Sequence, residues 1–121
     1  MKILVDIDDE LIADVIDQGS TYGIEYWGEC TAGYDYILKV LRTYGLGFGI
    51  NEVERAWIGG TIHDDKLIAC HVVFWQDIQK GLELMAGKWH DALNAMLNGD
   101  YDCITGDILL QLTLFGEISY S

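Results

Sequence analysis

The chain has 121 residues, of which 50% are hydrophobic, and its 20 acidic and 7 basic side chains give it a formal net charge of −13 at pH 7. This length and composition predict a single compact domain over residues 1–121, because no linker, low-complexity tract or repeat divides the chain. The negative charge argues against direct binding to nucleic acid or to an anionic membrane.

The first predicted elements are a short strand and a helix. The apolar segment KILVDI at residues 2–7 has the composition of a strand. Asp8 then caps a helix that ends near Gly19, because apolar residues follow it at helical spacing. These apolar residues are Leu11, Ile12, Val15 and Ile16.

The next two segments predict a strand and a second helix. Residues 23–30, GIEYWGEC, alternate with a period of two, which indicates a strand with Trp27 on the same face as Glu25 and Glu29. Residues 34–43, YDYILKVLRT, fit a helix about as well as a strand, and we favour the helix.

A glycine-rich loop and a hairpin follow. Gly45, Gly47 and Gly49 predict the loop, and residues 52–62 and 67–74 predict two strands around a turn. The predicted turn consists of His63, Asp64, Asp65 and Lys66.

Helices dominate the last part of the chain. Residues 76–98 keep apolar side chains at spacings of three and four, which predicts one long helix that ends at Gly99. Asp100 or Asp102 caps a final helix that ends at Gly116, and GEISYS forms a closing strand. The predicted fold is therefore α+β, a small antiparallel sheet packed against three to four helices.

Two polar residues occupy the apolar arc of the final helix. Asp107 and Gln111 lie one turn apart where leucines are expected. Because a buried acid without a partner is costly, the pair is either hydrogen-bonded inside the fold or faces a pocket with a polar floor. In the first case it holds a tyrosine hydroxyl, an indole N–H or a backbone group of GIEYW. In the second case it recognises the polar edge of a base or ribose.

Patterns in both halves of the chain resemble a family of small phage and prophage proteins. GIEYWGE resembles the GIxYW strand of that family, QDIQKGLEL resembles the start of its amphipathic helix, and the chain closes on a D-x-x-x-Q-x-x-x-FGE-x-x-Y pattern. The resemblance leaves out residues 31–70. The matching residues are Gly23, Ile24, Tyr26, Trp27, Asp107, Gln111, Phe115, Gly116, Glu117 and Tyr120.

The resemblance implies a phage-encoded protein that acts against host defence. Some small phage proteins of this class are sponges for the nucleotide messengers of bacterial immunity, as the Thoeris anti-defence proteins are, and others are anti-CRISPR inhibitors. We expect the host cytoplasm as location, because the apolar run after Lys2 breaks at Asp6 and predicts neither a signal peptide nor a membrane span.

The sequence favours a binding protein over an enzyme. It contains no GxSxG, HExxH, CxxC or Walker-type motif, so we predict no catalysis and no cofactor. The steps His63-Asp64 and His90-Asp91 suggest a metal dyad, but such dipeptides are common by chance and no metal site is predicted.

The three cysteines are far apart in the sequence. Cys30, Cys70 and Cys103 predict reduced, partly buried thiols rather than disulfides. Cys70 and His71 are neighbours on a predicted strand and point to opposite faces, so they do not easily bind one ion, and Cys70 is expected in the core.

The glycine-rich loop suggests an anion site. Backbone N–H groups between Gly45 and Gly49 are able to surround a phosphate, with charge added by Arg42 or Arg55, the two arginines of the chain. The alternative is that the glycines merely allow turns and that the arginines pair with surface carboxylates.

Fourteen aromatic residues exceed what the core obviously requires. Trp27 and Trp57 share predicted strand faces with charged residues, so these rings either stack on a base or form an oligomer interface. We expect both uses, and therefore a homo-oligomer.

The leading hypothesis is an oligomeric sponge for a cyclic or ADP-ribose-type nucleotide signal. Ring stacking, two cations and two polar groups would supply the contacts: Tyr26, Trp27, Arg42, Arg55, Asp107 and Gln111. The alternative is an acidic inhibitor that occupies the nucleic-acid channel of a CRISPR effector or another defence nuclease. A virion structural protein is a third possibility, and the acidic surface also has a simple use in keeping the protein in solution.

Overall fold

The computed structural model describes residues 7–58 and 61–121, except for the side chains of residues 56–58 and 61–65. Within these residues the chain forms an α+β domain with a three-stranded antiparallel sheet, which confirms the predicted fold class. The helices are α1 (Asp9–Gln18), α2 (Tyr34–Arg42), α3 (Trp75–Lys88), α4 (His90–Leu97) and α5 (Cys103–Phe115). The strands are β1 (Gly28–Glu29), β2 (Phe48–Ile58) and β3 (Thr61–Val73), in the spatial order β1-β2-β3.

The helix boundaries follow from local capping chemistry. The Asp8 carboxylate accepts a hydrogen bond from the backbone of Glu10, and the Asp102 carboxylate accepts from the first turn of α5. Gly116 ends α5 with a φ of 73°, a conformation that favours glycine. The predicted caps at Asp8, Asp102 and Gly116 are confirmed.

The hydrophobic core lies between one face of the sheet and a layer of helices. Helices α1 and α5 contact each other so closely that Gly19 and Gly106 meet backbone to backbone, because neither has a side chain. Gly19 begins a π-helical turn, Gly19–Gly23, that continues α1 and packs on α5. Fully buried side chains come from every layer, including Ile12, Ile16, Trp27, Ile37, Ile50, Met85 and Leu110.

The sheet differs from the predicted one in its boundaries. Strand β2 begins at Phe48, so Gly49 lies in a strand and not in the predicted loop. Residues 63–66, predicted as a turn, lie inside β3. Residues of opposite charge face each other across the two strands here, for example Glu54 on β2 and Lys66 on β3, and they favour continued strand pairing. The connection at residues 59–60 lies outside the described residues.

The segment 23–30 is not the predicted strand. Only Gly28 and Glu29 pair with β2, and the residues before them form the π-helical turn and a tight turn in which Ile24 C=O accepts from Trp27 and Gly28 N–H. The predicted strand at 2–7 lies outside the described residues except for Ile7, which is in neither a helix nor a strand.

The predicted helix 76–98 is two helices. Trp89, with φ −124° and ψ 52°, interrupts it between α3 and α4, two residues after Gly87. The predicted closing strand GEISYS is irregular backbone. The longest described helix has 14 residues, and no helix in this part of the chain has both the length and the apolar character of a membrane span.

Candidate functional site

Four of the six predicted contact residues meet in one hydrogen-bond network. The Asp107 carboxylate on α5 accepts from the Trp27 indole N–H at 2.8 Å and from the Tyr26 hydroxyl at 2.6 Å. The Gln111 amide, one turn later, donates to Asp107 Oδ1 at 3.0 Å and to the Tyr26 oxygen at 3.2 Å. Asp107 and Gln111 are buried, so the network replaces the water that both groups lose on folding.

Gln111 also binds the segment that follows α5. Its Oε1 accepts from the backbone N–H of Ser119 at 2.9 Å and of Tyr120 at 2.8 Å, and its Nε2 donates to the Tyr120 carbonyl at 3.0 Å. The amide therefore supplies the hydrogen bonds that a neighbouring strand would have supplied. This explains why residues 116–121 lie against the fold without joining the sheet.

Trp27 is at the centre of an aromatic cluster. Its ring is fully buried, stacks on Tyr120 with a centroid distance of 5.3 Å and meets the edge of Phe115 at 5.6 Å. The prediction that Trp27 shares a face with charged residues is wrong, because the tight turn at 24–28 rotates the indole inward onto Asp107. Tyr26 keeps 40% of its surface exposed.

Glu52 and His71 join the cluster from the sheet and were missed by the sequence analysis. The Tyr120 hydroxyl donates to Glu52 Oε2, and Glu52 Oε1 lies 3.1 Å from His71 Nε2. The bond to Tyr120 and the nearby His71 hold the pKa of Glu52 below its ordinary value, although partial burial opposes this. The same carboxylate raises the pKa of Tyr120 to about 12. The sequence did contain a signal for this site: Glu52 lies two residues after the buried Ile50 and therefore on the same, inward face of β2.

The depressed pKa of Glu52 predicts acid sensitivity of the fold. Its contribution is present above the unfolded pKa near 4.5 and is lost as the pH falls through the lower folded pKa. We therefore expect Glu52→Gln to be less stable than the parent protein near neutral pH and to lose less stability on acidification.

Urea unfolding at several values between about pH 6 and about pH 3 measures this difference. Glu54→Gln is the matched control, because Glu54 is exposed on the same strand. Parallel pH curves for the parent and Glu52→Gln would contradict the assignment.

The two arginines are not part of this network in the contacts described. Arg42 lies at the end of α2 with its Nε 3.4 Å from an Asp9 oxygen, and Arg55 donates to the Gly28 carbonyl at 3.2 Å and lies 3.4 Å from Glu29. Each arginine therefore lies beside a carboxylate of the protein, as expected if the arginines pair with surface carboxylates and do not bind a phosphate. The side chain of Trp57 lies outside the described residues.

An open cleft of about 430 Å³ lies where β1 ends. The Val53 N–H donates to the Trp27 carbonyl, so every second residue of β2, counted from Val53, directs its backbone groups towards β1. Gly49 is one of these residues and lies beyond the end of β1, so its N–H and C=O point into the cleft. The cleft lining includes Glu29, Thr31, Tyr36, Gly47, Gly49 and Asn51. Gly47 and Gly49 thus line this cleft beside the Glu29 carboxylate, whereas Gly45 lines a separate cleft of about 160 Å³ together with Arg42.

The cysteines and histidines form no metal cluster in the described part of the chain. Cys30, Cys70 and Cys103 are free thiols, and burial raises the pKa of Cys30. Cys70 is exposed, so its predicted place in the core is wrong, because its side chain lies on the opposite face of β3 from that of the buried Val73. The side chains of His63 and Asp64 lie outside the described residues.

Comparison of the chain with protein-family models, curated proteins and solved structures found no match. The resemblance to small phage proteins thus stays a prediction. The geometry supports a structural use of Asp107 and Gln111, since their polar atoms are bonded to side chains and backbone of the same chain.

Proposed function

We propose that this protein is a phage-derived binding protein that places an acidic face on the basic nucleic-acid-binding surface of a host defence protein, such as a CRISPR effector. The observation that carries the proposal is the density of carboxylates on α1. The phage origin rests on the sequence resemblance described above.

The acidic face consists of Asp9, Glu10, Asp14 and Asp17 on α1. A helix of ten residues is about 15 Å long, so these four carboxylates supply on average one negative charge per about 4 Å, before the pairing of Asp9 with Arg42 is counted. One strand of duplex DNA carries one charge per about 3.4 Å along the helix axis. The face therefore resembles a phosphate backbone in its charge spacing.

The charges of this face are close enough to act together. The pKa of Asp17 is raised mainly by partial burial and further by the negative charge of Asp14. The pKa of Tyr34 on α2 is raised by desolvation and by the negative charges of Glu10 and Asp14. The last turn of α1 holds no basic residue. Arg42 is the cation described at the opposite end, beside Asp9 and Glu10.

The network around Asp107 adds indirect support. The polar groups expected to recognise a nucleotide are bonded to Tyr26, Trp27 and Tyr120 of the same chain. A nucleotide at that position would have to displace these contacts. Glu10 is exposed and the other three carboxylates of the acidic face are partly exposed, so a partner reaches them from the surface. Asp14 also accepts a hydrogen bond from Tyr101, and Asp9 pairs with Arg42.

Displacement of labelled DNA from candidate defence nucleases, followed by fluorescence anisotropy at increasing salt, tests the proposal. We expect inhibition that weakens with salt. The double substitution Glu10→Gln with Asp17→Asn should weaken inhibition about fivefold, because two exposed ion pairs are worth about 1 kcal/mol together.

The control for that experiment is Asp91→Asn with Asp100→Asn, which removes two exposed carboxylates outside α1. It should inhibit like the parent protein. Equal losses in both double variants would indicate a general effect of charge and contradict a defined face on α1. Inhibition that is insensitive to salt would contradict the proposal altogether.

A nucleotide ligand is the second candidate, and the cleft beside β1 favours it. Its volume lies in the range of small-molecule sites, and Tyr36 at its wall is 41% exposed and able to stack on a base. Calorimetric titration with immune-signalling nucleotides separates the two candidates. Binding heat that Tyr36→Ala abolishes would favour the cleft over the acidic face.

A further inference from the structure

The edge of the described sheet at β3, where no described residue forms a further strand, is a feature that the proposed function does not use. β3 is an edge strand of 13 residues in the described sheet, with β2 on one side. β3 and the residue that follows it carry five exposed side chains, four of them apolar and one a thiol: Leu67, Ile68, Cys70, Val72 and Phe74. Val72 is 60% exposed. A long edge with exposed apolar side chains is a template for a further strand.

The register identifies which backbone groups are available at this edge. Because the Val53 N–H donates to the carbonyl of Trp27, just before β1, the residues of β2 that bond to β3 are the alternate ones, including Phe48, Ile50 and Glu52. Their partners on β3 are Val73, His71 and Ala69. The backbone groups of Cys70 and Val72, which lie between these partners, are therefore directed to the open edge.

A bulge limits the usable part of this edge. The register shifts by one residue at Ile68, so β3 is regular from Ala69 to Val73. A second copy of β3 pairs with residues 69–73 in antiparallel orientation when a two-fold axis passes between the two copies next to His71. Cys70 then lies opposite Val72 of the partner subunit, and the reverse pair repeats the contact. This arrangement forms four backbone hydrogen bonds.

The charge pattern favours a second copy of the chain as the occupant. A protein with a net charge of −13 repels itself over most of its surface, yet residues 66–76, KLIACHVVFWQ, contain no carboxylate. The two-fold pairing brings this stretch against itself, so no two carboxylates face each other in the ladder. A basic partner would gain more from the carboxylates of α1 than from this neutral edge.

We propose that the protein forms a two-fold symmetric dimer through antiparallel pairing of residues 69–73 of β3, which joins two three-stranded sheets into one of six strands. This pairing would be the subunit interface of the homo-oligomer that we expect from the sequence. It does not depend on the acidic face of α1. Because the paired stretch is short, we expect a dissociation constant in the micromolar range for the dimer.

Sedimentation equilibrium of the full chain over a wide concentration range tests the dimer. The mass should rise from 13.6 kDa towards twice that value. Val72→Lys places a charge at the paired edge and should raise the dissociation constant at least tenfold. Ile104→Lys is the matched control, because Ile104 is 64% exposed on α5, and it should leave the dimer intact.

Hydrogen exchange locates the interface independently. The amides of Cys70 and Val72 should become protected as concentration rises, and Val72→Lys should remove that protection while the circular dichroism spectrum stays unchanged. A monomer at every concentration would overturn the proposal, as would a dimer that Val72→Lys does not weaken. Protection of both amides at all concentrations would also overturn it, since the edge would then be covered within one chain.

Discussion

Gly106→Ala is expected to destabilise the folded state by about 3 kcal/mol or more. An added Cβ at residue 106 would lie 2.5 Å from the Gly19 Cα, 2.6 Å from the Gly19 nitrogen and 2.5 Å from the Val15 carbonyl oxygen. All three are backbone atoms, so no side-chain rotation relieves the overlap. Helices α1 and α5 would have to separate, and the core on both sides would lose contacts. With a total stability of 5 to 15 kcal/mol typical for a domain, this is a large fraction.

Urea unfolding followed by circular dichroism measures this loss. Gly49→Ala is the control, because a Cβ there would lie 3.9 Å from the His71 carbonyl oxygen, an ordinary contact distance. It should change stability by a few tenths of a kcal/mol. An unfolding midpoint for Gly106→Ala equal to that of the control would contradict the close helix crossing.

Asp107→Ala is expected to cost about 3 kcal/mol. The substitution leaves the buried indole N–H of Trp27 without its acceptor and removes a partner from Tyr26 and from Gln111. The Tyr26 pKa, which burial and the Asp107 carboxylate raise, should fall in this variant. Asp107→Asn keeps one acceptor oxygen and should cost less than the alanine variant.

The same unfolding measurement, together with near-UV circular dichroism of the Trp27 environment, tests this prediction. Asp100→Ala is the control, because Asp100 is exposed just before α5. If Asp107→Ala kept the stability of the parent protein and instead lost binding to a nucleotide, Asp107 would be a ligand contact and its structural role would be refuted.

Local signals predicted the helix ends and the partners of Asp107. Capping depends on residues a few positions apart, so Asp8, Asp102 and Gly116 were recognisable from the sequence alone. The helical phase of Asp107 and Gln111 marked them as buried, and the expected tyrosine hydroxyl and indole N–H are the groups found.

Contacts between distant segments were not predictable in the same way. The backbone group held by Gln111 belongs to residues 119 and 120 and not to GIEYW, because nothing local indicates where the chain turns after Gly116. Glu52 and His71 were missed for the same reason, since Tyr120, which bonds to Glu52, and Phe115, which meets the His71 ring, lie far along the chain. The inward rotation of Trp27 depends on a tight turn that a two-residue alternation does not reveal.

The two sequence patterns that suggested a phage family meet in one packing unit. The Tyr and Trp of the first pattern contact the Asp, Gln, Phe and Tyr of the second: Tyr26, Trp27, Asp107, Gln111, Phe115 and Tyr120. A shared pattern of this kind therefore indicates a common way of building the fold. It carries less information about ligands, and the function proposed for the acidic face of α1 does not depend on these residues.

The separation between Trp27 and its partners affects how the protein is made. The acceptor for its indole lies 80 residues downstream, and the ring that stacks on it follows even later. On the ribosome, the nascent chain exposes this tryptophan until α5 has been translated. The residues before α5 therefore lack the side chains that close their core, so folding of this domain is expected to wait until α5 and Tyr120 have left the exit tunnel.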